Sequence, residues 1–202
     1  MGRPDVVIFD LGKVLVDFDY SRCAQRLALA ATLSAPELQK LIDHSPLLCQ
    51  YETGQIDKAR FYREVCALTG YCGNQQEFEP AFADIFTPIE PMIAAQQQLR
   101  ARNIPTFILS NTNDLAVSHI SRTFPFFSGF DGYVFSFEHG AMKPQEKIYE
   151  VAENVTGRSG TEILYIDDRL ENLEPARRRS WQVIHQIAPE PTIRLLKEQG
   201  LL

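Results

Sequence analysis

The sequence predicts an α/β protein: a three-layer, Rossmann-like parallel sheet core with a small helical cap inserted after the first strand. Three observations predict it. Val6-Val7-Ile8-Phe9 is an unbroken apolar run, the mark of a strand buried on both faces. From about Thr87 onward, β-rich apolar runs alternate with helical stretches, which calls for a parallel sheet with helices on both sides. Between these two parts, from about Ser21 to Phe86, alanine, leucine and glutamine dominate and apolar residues recur at helical spacing. The expected division is a core of residues 1–18 and 87–202 and a cap of residues 19–86.

Bulk properties narrow the function classes. A chain of 202 residues can hold one sizeable core plus an inserted subdomain. Hydrophobic content of 45% and charged content of 23% are those of a globular protein. A formal net charge of -6 argues against a nucleic-acid partner, because phosphate backbones need a clustered basic surface. Cys23, Cys49, Cys66 and Cys72 contain no C-x-x-C pair, so they read as reduced thiols of a cytoplasmic protein. No apolar run is long enough for a membrane span, and the first strand begins too close to Met1 for a signal peptide. A soluble, intracellular protein without a membrane partner is expected.

Taken in order, the first strand ends in Asp10-Leu11-Gly12-Lys13. Ligands of open α/β sheets bind beyond the carboxyl ends of strands, so Asp10 would project into a site as a nucleophile, with Gly12 allowing close backbone approach. A strand-ending Asp that caps a turn is the plainer alternative. Val14-Leu15-Val16 reads as an extended flap, with Asp17 and Asp19 flanking Phe18. In the helical block Ser21 and Asp57 can cap helices, and Ser34-Ala35-Pro36-Glu37 reads as an N-cap with Pro in the first turn. Ser45-Pro46, Thr53-Gly54 and Thr69-Gly70 separate the helices. Such a block, inserted directly after a catalytic strand, would lie over the site as a lid.

In the remaining chain a helix over about 91–102 leads to a strand over 104–109, and a helix after Asn113 leads to Tyr133-Val134-Phe135. A helix over 144–154 leads to Ile163-Leu164-Tyr165-Ile166, and one after Arg169 leads to Gln182-Val183-Ile184. Three of these segments place polar residues where a strand stops. Leu109-Ser110-Asn111-Thr112-Asn113 offers a hydroxyl and backbone N–H groups suited to a phosphate, and equally reads as an N-cap cluster. Gly140-Ala141-Met142-Lys143-Pro144 carries one lysine before a proline that can begin a helix, a lone lysine most simply being a solvated surface charge. Asp167-Asp168 puts two like charges at a buried strand end, which costs free energy unless a cation neutralises them; oxygen ligands point to Mg²⁺. Arg177-Arg178-Arg179 would end the preceding helix and complement its dipole, and Trp181 reads as packing.

Phe9-Asp10-Leu11-Gly12, Leu109-Ser110-Asn111-Thr112, Lys143-Pro144 and Ile166-Asp167-Asp168 with Asn172 resemble, in order, the four motifs of the haloacid dehalogenase-like hydrolase superfamily. The resemblance spans the whole core. The D-L-G start, the S-N-T-N segment and the modest insertion are similar to a bacterial branch that includes an α-D-glucose-1-phosphate phosphatase. The resemblance implies a Mg²⁺-dependent phosphatase acting on a small phosphorylated metabolite, a sugar phosphate such as glucose 1-phosphate being one candidate. Asp10 would attack phosphorus to give an aspartyl-phosphate. Asp10, the Gly12 carbonyl and Asp168 would hold the metal, with Asp167 the less direct neighbour. Ser110 and the Asn111 N–H would hold phosphate oxygens, Lys143 would add a fixed positive charge facing Asp10, and Asn172 would orient the acidic loop.

One position departs from that pattern. Most phosphatases of the superfamily carry a second Asp where this chain has Gly12, and a positioned general acid or base is worth about 10²- to 10⁴-fold in rate. Slow turnover, or a proton from elsewhere, is expected; a sugar 1-phosphate, whose leaving group is comparatively acidic, would depend on it less. Lys13, next to Gly12, is a candidate to influence the leaving group. Asp17, the Tyr51-Glu52 pair and His44 are candidates for recognising the rest of the substrate, although packing or a solvated face explains each more simply. Two other readings stay open: a haloacid dehalogenase, which would need neither Mg²⁺ nor the acidic pair, and a catalytically weak binding module, made plausible by Gly12.

Overall fold

The computed structural model of the chain describes residues 2–42 and 45–202. In chain order, β1 (Val6–Phe9) and β2 (Val16–Phe18) lead into α1 (Tyr20–Ala28), α2 (Ala35–Ile42), α3 (Pro46–Glu52), α4 (Lys58–Thr69) and α5 (Gln75–Ala83). β3 (Phe86–Pro88), α6 (Glu90–Ala101), β4 (Thr106–Ser110), α7 (Asp114–Thr123), β5 (Gly132–Phe135) and α8 (Ser136–His139) follow. α9 (Glu146–Thr156), β6 (Ile163–Asp167), α10 (Leu170–Arg178), β7 (Gln182–His185) and α11 (Pro189–Glu198) complete the order.

Five strands form a parallel sheet in the order β5-β4-β1-β6-β7, with β1 between β4 and β6. Strand alternation divides its side chains between two cores. Val7, Phe9, Ile108, Leu164 and Ile166 join Met92, Leu99, Ile120 and Leu196 of α6, α7 and α11 on one face. Val6, Ile8, Leu109, Ile163 and Tyr165 join Ile148, Tyr149 and Leu173 of α9 and α10 on the other. Burial on both faces explains why these strands are apolar throughout, each full burial contributing about 1.5–3 kcal/mol. After β5 the chain crosses back over β1 to β6, so the strand order reverses at the carboxyl end of β1, where α/β proteins form their ligand crevice.

The helices α1 to α5 have a third core, built from Leu27, Leu38, Tyr51, Phe61, Phe78 and Phe82 among others. The chain leaves and re-enters the sheet domain through an antiparallel ribbon, β2 against β3, with Phe18 opposite Phe86. Phe86-Thr87-Pro88, only three residues long, carried no strand signal in the sequence.

Several local expectations change. The expected extended flap over Val14-Leu15-Val16 is extended only from Val16, which opens β2; before it the N–H groups of Leu15 and Val16 both donate to the Leu11 carbonyl at 2.9 Å, closing a turn. All three side chains are fully buried, because an apolar run beside β1 gains more from the core than from solvent. Asp19, not Ser21, caps α1, its carboxylate accepting the Ser21 N–H at 2.9 Å. Asp57 caps α4 as expected. The helix expected from Pro144 begins at Glu146, since a turn closed by Gln145 N–H to the Met142 carbonyl at 2.8 Å comes first. α11 was not foreseen; Pro189 and Pro191 discourage a helix in a linear reading but fall in its first turn, where N–H groups lack partners anyway.

Candidate active site

Asp10 stands one residue past β1 and is still pinned to β6, its N–H donating to the Ile166 carbonyl at 2.8 Å. It is buried, and its Oδ1 accepts the Leu11 N–H at 2.7 Å, so the turn-capping role is real. The same oxygen lies 2.8 Å from Lys143 Nζ. Lys143 is only 3% exposed, and its ammonium also reaches Asp167 Oδ2 at 2.8 Å and donates to the Leu109 carbonyl at 3.1 Å. Three strand ends and one loop therefore meet at a single ammonium group.

Asn111 brings that loop into place. Its amide nitrogen donates to the Lys143 carbonyl at 2.9 Å, and its oxygen accepts the Lys143 N–H at 2.7 Å. The Asn111 side chain thus holds the lysine backbone. Ser110 is buried beside it, and among the described residues its hydroxyl has only a long 3.4 Å contact with the Asn111 carbonyl.

Asp167 and Asp168, adjacent in sequence, differ in surroundings. Asp167 Oδ1 accepts the Arg169 N–H at 2.8 Å and Asn172 Nδ2 at 3.0 Å; Oδ2 accepts Lys143 and the Tyr165 hydroxyl. Its acceptor capacity is filled. Asp168 is half-buried and lines the adjoining cavity, while its backbone carbonyl lies 2.9 Å from His185 Nε2. Tyr165, two residues before Asp167 and on the same side of its strand, could have been found from strand alternation. His185 carried no such signal, because its role depends on β6 and β7 being neighbours.

Electrostatics follow from this crowding. Burial pushes the Asp10 carboxyl up to about 7, against the pull of Lys143. Burial, then the Asp167 charge, raises Asp168 as well. Burial also works against ionised Asp167, but Lys143 and the hydrogen bonds outweigh it and hold that carboxyl below its ordinary value. For Lys143, burial is overcome by its two carboxylate partners, and its pKa is raised. Oxygens of Asp10, Asp167 and Asp168 lie within 4.8 Å of one another. Three carboxylates against one ammonium leave an excess of buried negative charge, which adds to burial in raising Asp10 and Asp168. This all-oxygen donor set, with Asp10 and Asp168 as the less committed members, fits a hard divalent cation.

A cavity of about 390 Å³ opens on these groups, in the range of small-molecule sites. Asp10, Gly12, Ser110, Asn111, Lys143 and Asp168 line it from the sheet domain, and Cys49 and Glu52 of α3 line it from the helical block. Phe18 fills the space over Gly12: a Cβ there would lie 2.9 Å from its ring.

The other candidates separate as follows. Lys13 lines the cavity, but its ammonium is held by Asp17 and by the Phe18 carbonyl at 3.2 Å. Tyr51 is a packing residue: it is buried, stacks on Phe61 at 4.4 Å between ring centroids, and donates its hydroxyl to Asp114. Burial pushes the half-buried Glu52 up to about 7. His44 lies outside the described residues. Arg178 and Arg179 end α10 and pair with Glu146 and Glu153 of α9, and Trp181 packs there while donating to Glu153 at 3.0 Å. All four cysteines are free. Among the described residues no helix is long and apolar enough to cross a membrane.

Known proteins share this fold. A family model described as haloacid dehalogenase-like hydrolase matches residues 4–178. D-ribitol-5-phosphate phosphatase of Bacteroides thetaiotaomicron is 21% identical over 173 residues, covering 83% of this chain and 84% of that protein. The crystal structure of a HAD family enzyme from the same organism has a TM-score of 0.83 at 22% identity, covering 96% of this chain and 99% of the other. A structure of that enzyme in complex with magnesium and inorganic phosphate has a TM-score of 0.78 at 22% identity, covering 92% and 95%. L-2-haloacid dehalogenase from Xanthobacter autotrophicus has a TM-score of 0.67 at 17% identity, covering 96% and 88%.

Proposed function

The chain belongs to the haloacid dehalogenase-like hydrolases, and from that premise we propose that it is a Mg²⁺-dependent phosphatase. Its substrate would be a small phosphomonoester, a sugar or polyol phosphate, hydrolysed through an aspartyl-phosphate on Asp10. The observation that carries the reading is the convergence of Asp10, Lys143 and Asp167 with the cavity-lining Asp168, an arrangement suited to an anionic substrate and a cation together. The D-ribitol-5-phosphate phosphatase relative and the magnesium- and phosphate-bound neighbour support the same direction.

In this reading Asp10, Asp168 and the Gly12 carbonyl hold the ion, and Asp167 and Asn172 keep the acidic loop in position. When bound, Mg²⁺ supplies positive charge that offsets the repulsion between a carboxylate nucleophile and a phosphate. Lys143 faces both Asp10 and the incoming phosphoryl group, and keeps the nucleophile oriented and ionised. Ser110 and the Asn111 N–H receive non-bridging oxygens at the end of β4. The Asp10 oxygen bonds to phosphorus as the ester oxygen leaves, and water then attacks phosphorus to release inorganic phosphate and restore the carboxylate. Helices α1 to α5 act as the cap that selects the group beyond the phosphate.

The test is phosphate release from a panel of sugar and polyol phosphates, with and without EDTA, beside Asp10→Asn. Activity that requires Mg²⁺ and vanishes in Asp10→Asn is the expected result. Turnover surviving both treatments would overturn the reading, and halide release from 2-haloacids without Mg²⁺ would put a dehalogenase in its place.

A further inference from the structure

An alkoxide leaving group needs a proton, and the groups around Asp10 are already committed. Asp10 is the nucleophile, Asp167 has its oxygens filled by hydrogen bonds, Asp168 faces the cation site, and Gly12 has no side chain. We propose that Glu52, at the C-terminal end of α3, is the general acid and base of this site. The assignment rests on the phosphatase reading above.

Glu52 lines the same cavity as Asp10, Gly12, Ser110 and Lys143, but it reaches it from the helical block. Among the described residues, no cation or hydrogen-bond donor acts on its carboxylate. Its backbone, by contrast, is firmly held. The Glu52 carbonyl accepts the Ser136 hydroxyl, whose oxygen also accepts the Thr112 N–H at 2.9 Å, so one serine ties α3 to the segment after β4. Tyr51 donates to Asp114 at the start of α7. Two residues after Glu52, Gly54 passes so close to the core that a Cβ would lie 2.1 Å from the Phe137 carbonyl oxygen. These ties fix the Glu52 backbone at the wall of the cavity that Asp10 also lines.

The surroundings suit a proton donor. Each cation on the cavity wall is engaged elsewhere: Lys13 with Asp17, Lys143 with Asp10 and Asp167, Arg169 with Glu171. Asp10 and Asp168 are acidic and can only favour the protonated form of Glu52. Cys49, whose thiol is pushed up by burial, and Tyr20 of α1 are the other titratable groups there. Burial alone raises Glu52 to about 7, so both protonation states are populated near neutral pH.

In the first step the Glu52 carboxylic acid gives its proton to the ester oxygen as the P–O bond breaks and the Asp10 oxygen bonds to phosphorus. In the second, the Glu52 carboxylate takes a proton from the attacking water as its oxygen bonds to phosphorus and the Asp10–phosphorus bond breaks. Asp10 leaves as the carboxylate and Glu52 is again the acid.

The experiment uses the full-length, Mg²⁺-loaded protein, Glu52→Gln and Glu52→Asp, with ribitol 5-phosphate and p-nitrophenyl phosphate as probes. Glu52→Gln is expected to lower kcat on ribitol 5-phosphate by about 10²- to 10⁴-fold. It should also abolish the wild-type fall in kcat/KM as pH rises through the carboxyl pKa. With p-nitrophenyl phosphate, whose leaving group needs no proton, the burst should persist within a few-fold while phosphoenzyme accumulates. Glu52→Asp should recover part of the turnover. Glu52→Gln within threefold of wild type on ribitol 5-phosphate, or a burst lost in proportion to turnover, would overturn the assignment. No Mg²⁺-dependent phosphate release by the wild type from either probe would instead sink the phosphatase reading, and the assignment with it.

Discussion

Lys143 is a single ammonium set between two carboxylates, each 2.8 Å away, with almost no water to share the charge. Removing one member of a buried ionic group typically costs about 3–5 kcal/mol, because the remaining charges are left without compensation. Lys143→Met keeps most of the side chain's volume and removes its charge. It is expected to lower the unfolding free energy by that amount in urea titrations at neutral pH, and to abolish phosphatase turnover. Asp10 and Asp167 would then repel each other and be protonated more readily in the folded than in the unfolded protein. The deficit should therefore shrink as pH falls through their raised folded-state values, the opposite of the acid sensitivity of a salt-bridged carboxylate. A deficit that is constant with pH would show that the lysine acts through packing alone.

Among the elements, the C-terminal turn of α3 couples the helical block to the sheet domain, and Gly54 is its tightest point. It has φ of +69°, and any Cβ there would collide with the Phe137 carbonyl. Both facts favour glycine for separate reasons, one conformational and one steric. Gly54→Ala is expected to lift this turn, weaken the Ser136 tie to Glu52, and lower kcat at least tenfold. Hydrogen exchange should quicken in α3 while β1, β4 and β6 keep their protection, since those strands draw on the two sheet cores and not on that of the helical block. Equal loss of protection in β1 would mean that the two parts unfold together.

For the molecule as a whole, the buried acidic cluster is an electrostatic debt that a divalent cation relieves. Binding to the native state alone adds about 2.7 kcal/mol at a ligand concentration 100 times Kd. In a chain of 202 residues, about 1 kcal/mol moves Tm by about 2–4 °C. Saturating Mg²⁺ is therefore expected to raise Tm by roughly 5–10 °C, with EDTA reversing the shift and Asp168→Asn removing most of it. An unchanged Tm over millimolar Mg²⁺ would argue that no ion enters the cluster.

The alternation of apolar runs and helical stretches was enough to reveal a parallel α/β core, because a strand buried on both faces has to be apolar along its whole length. The residues at strand ends, Asp10, Ser110 and Asp167-Asp168, were legible for a related reason: polar groups right after buried strands must face a crevice or a cap; Lys143, in the loop after α8, was legible only through the motif resemblance. The sequence by itself thus determined the fold class, and its motifs named most of the candidate site, though not Tyr165 or His185. It could not divide the work between Asp167 and Asp168, which depends on Lys143, Tyr165 and Asn172 arriving from distant segments to fill one carboxylate and leave the other facing the cavity. Nor could it commit the Asn111 side chain to the Lys143 backbone, or tell Tyr51, which packs, from Glu52, which lines the cavity. Those assignments belong to the tertiary structure, because hydrogen-bond capacity and burial are properties of neighbours in space, while sequence periodicity reports only which face of its own element a side chain occupies.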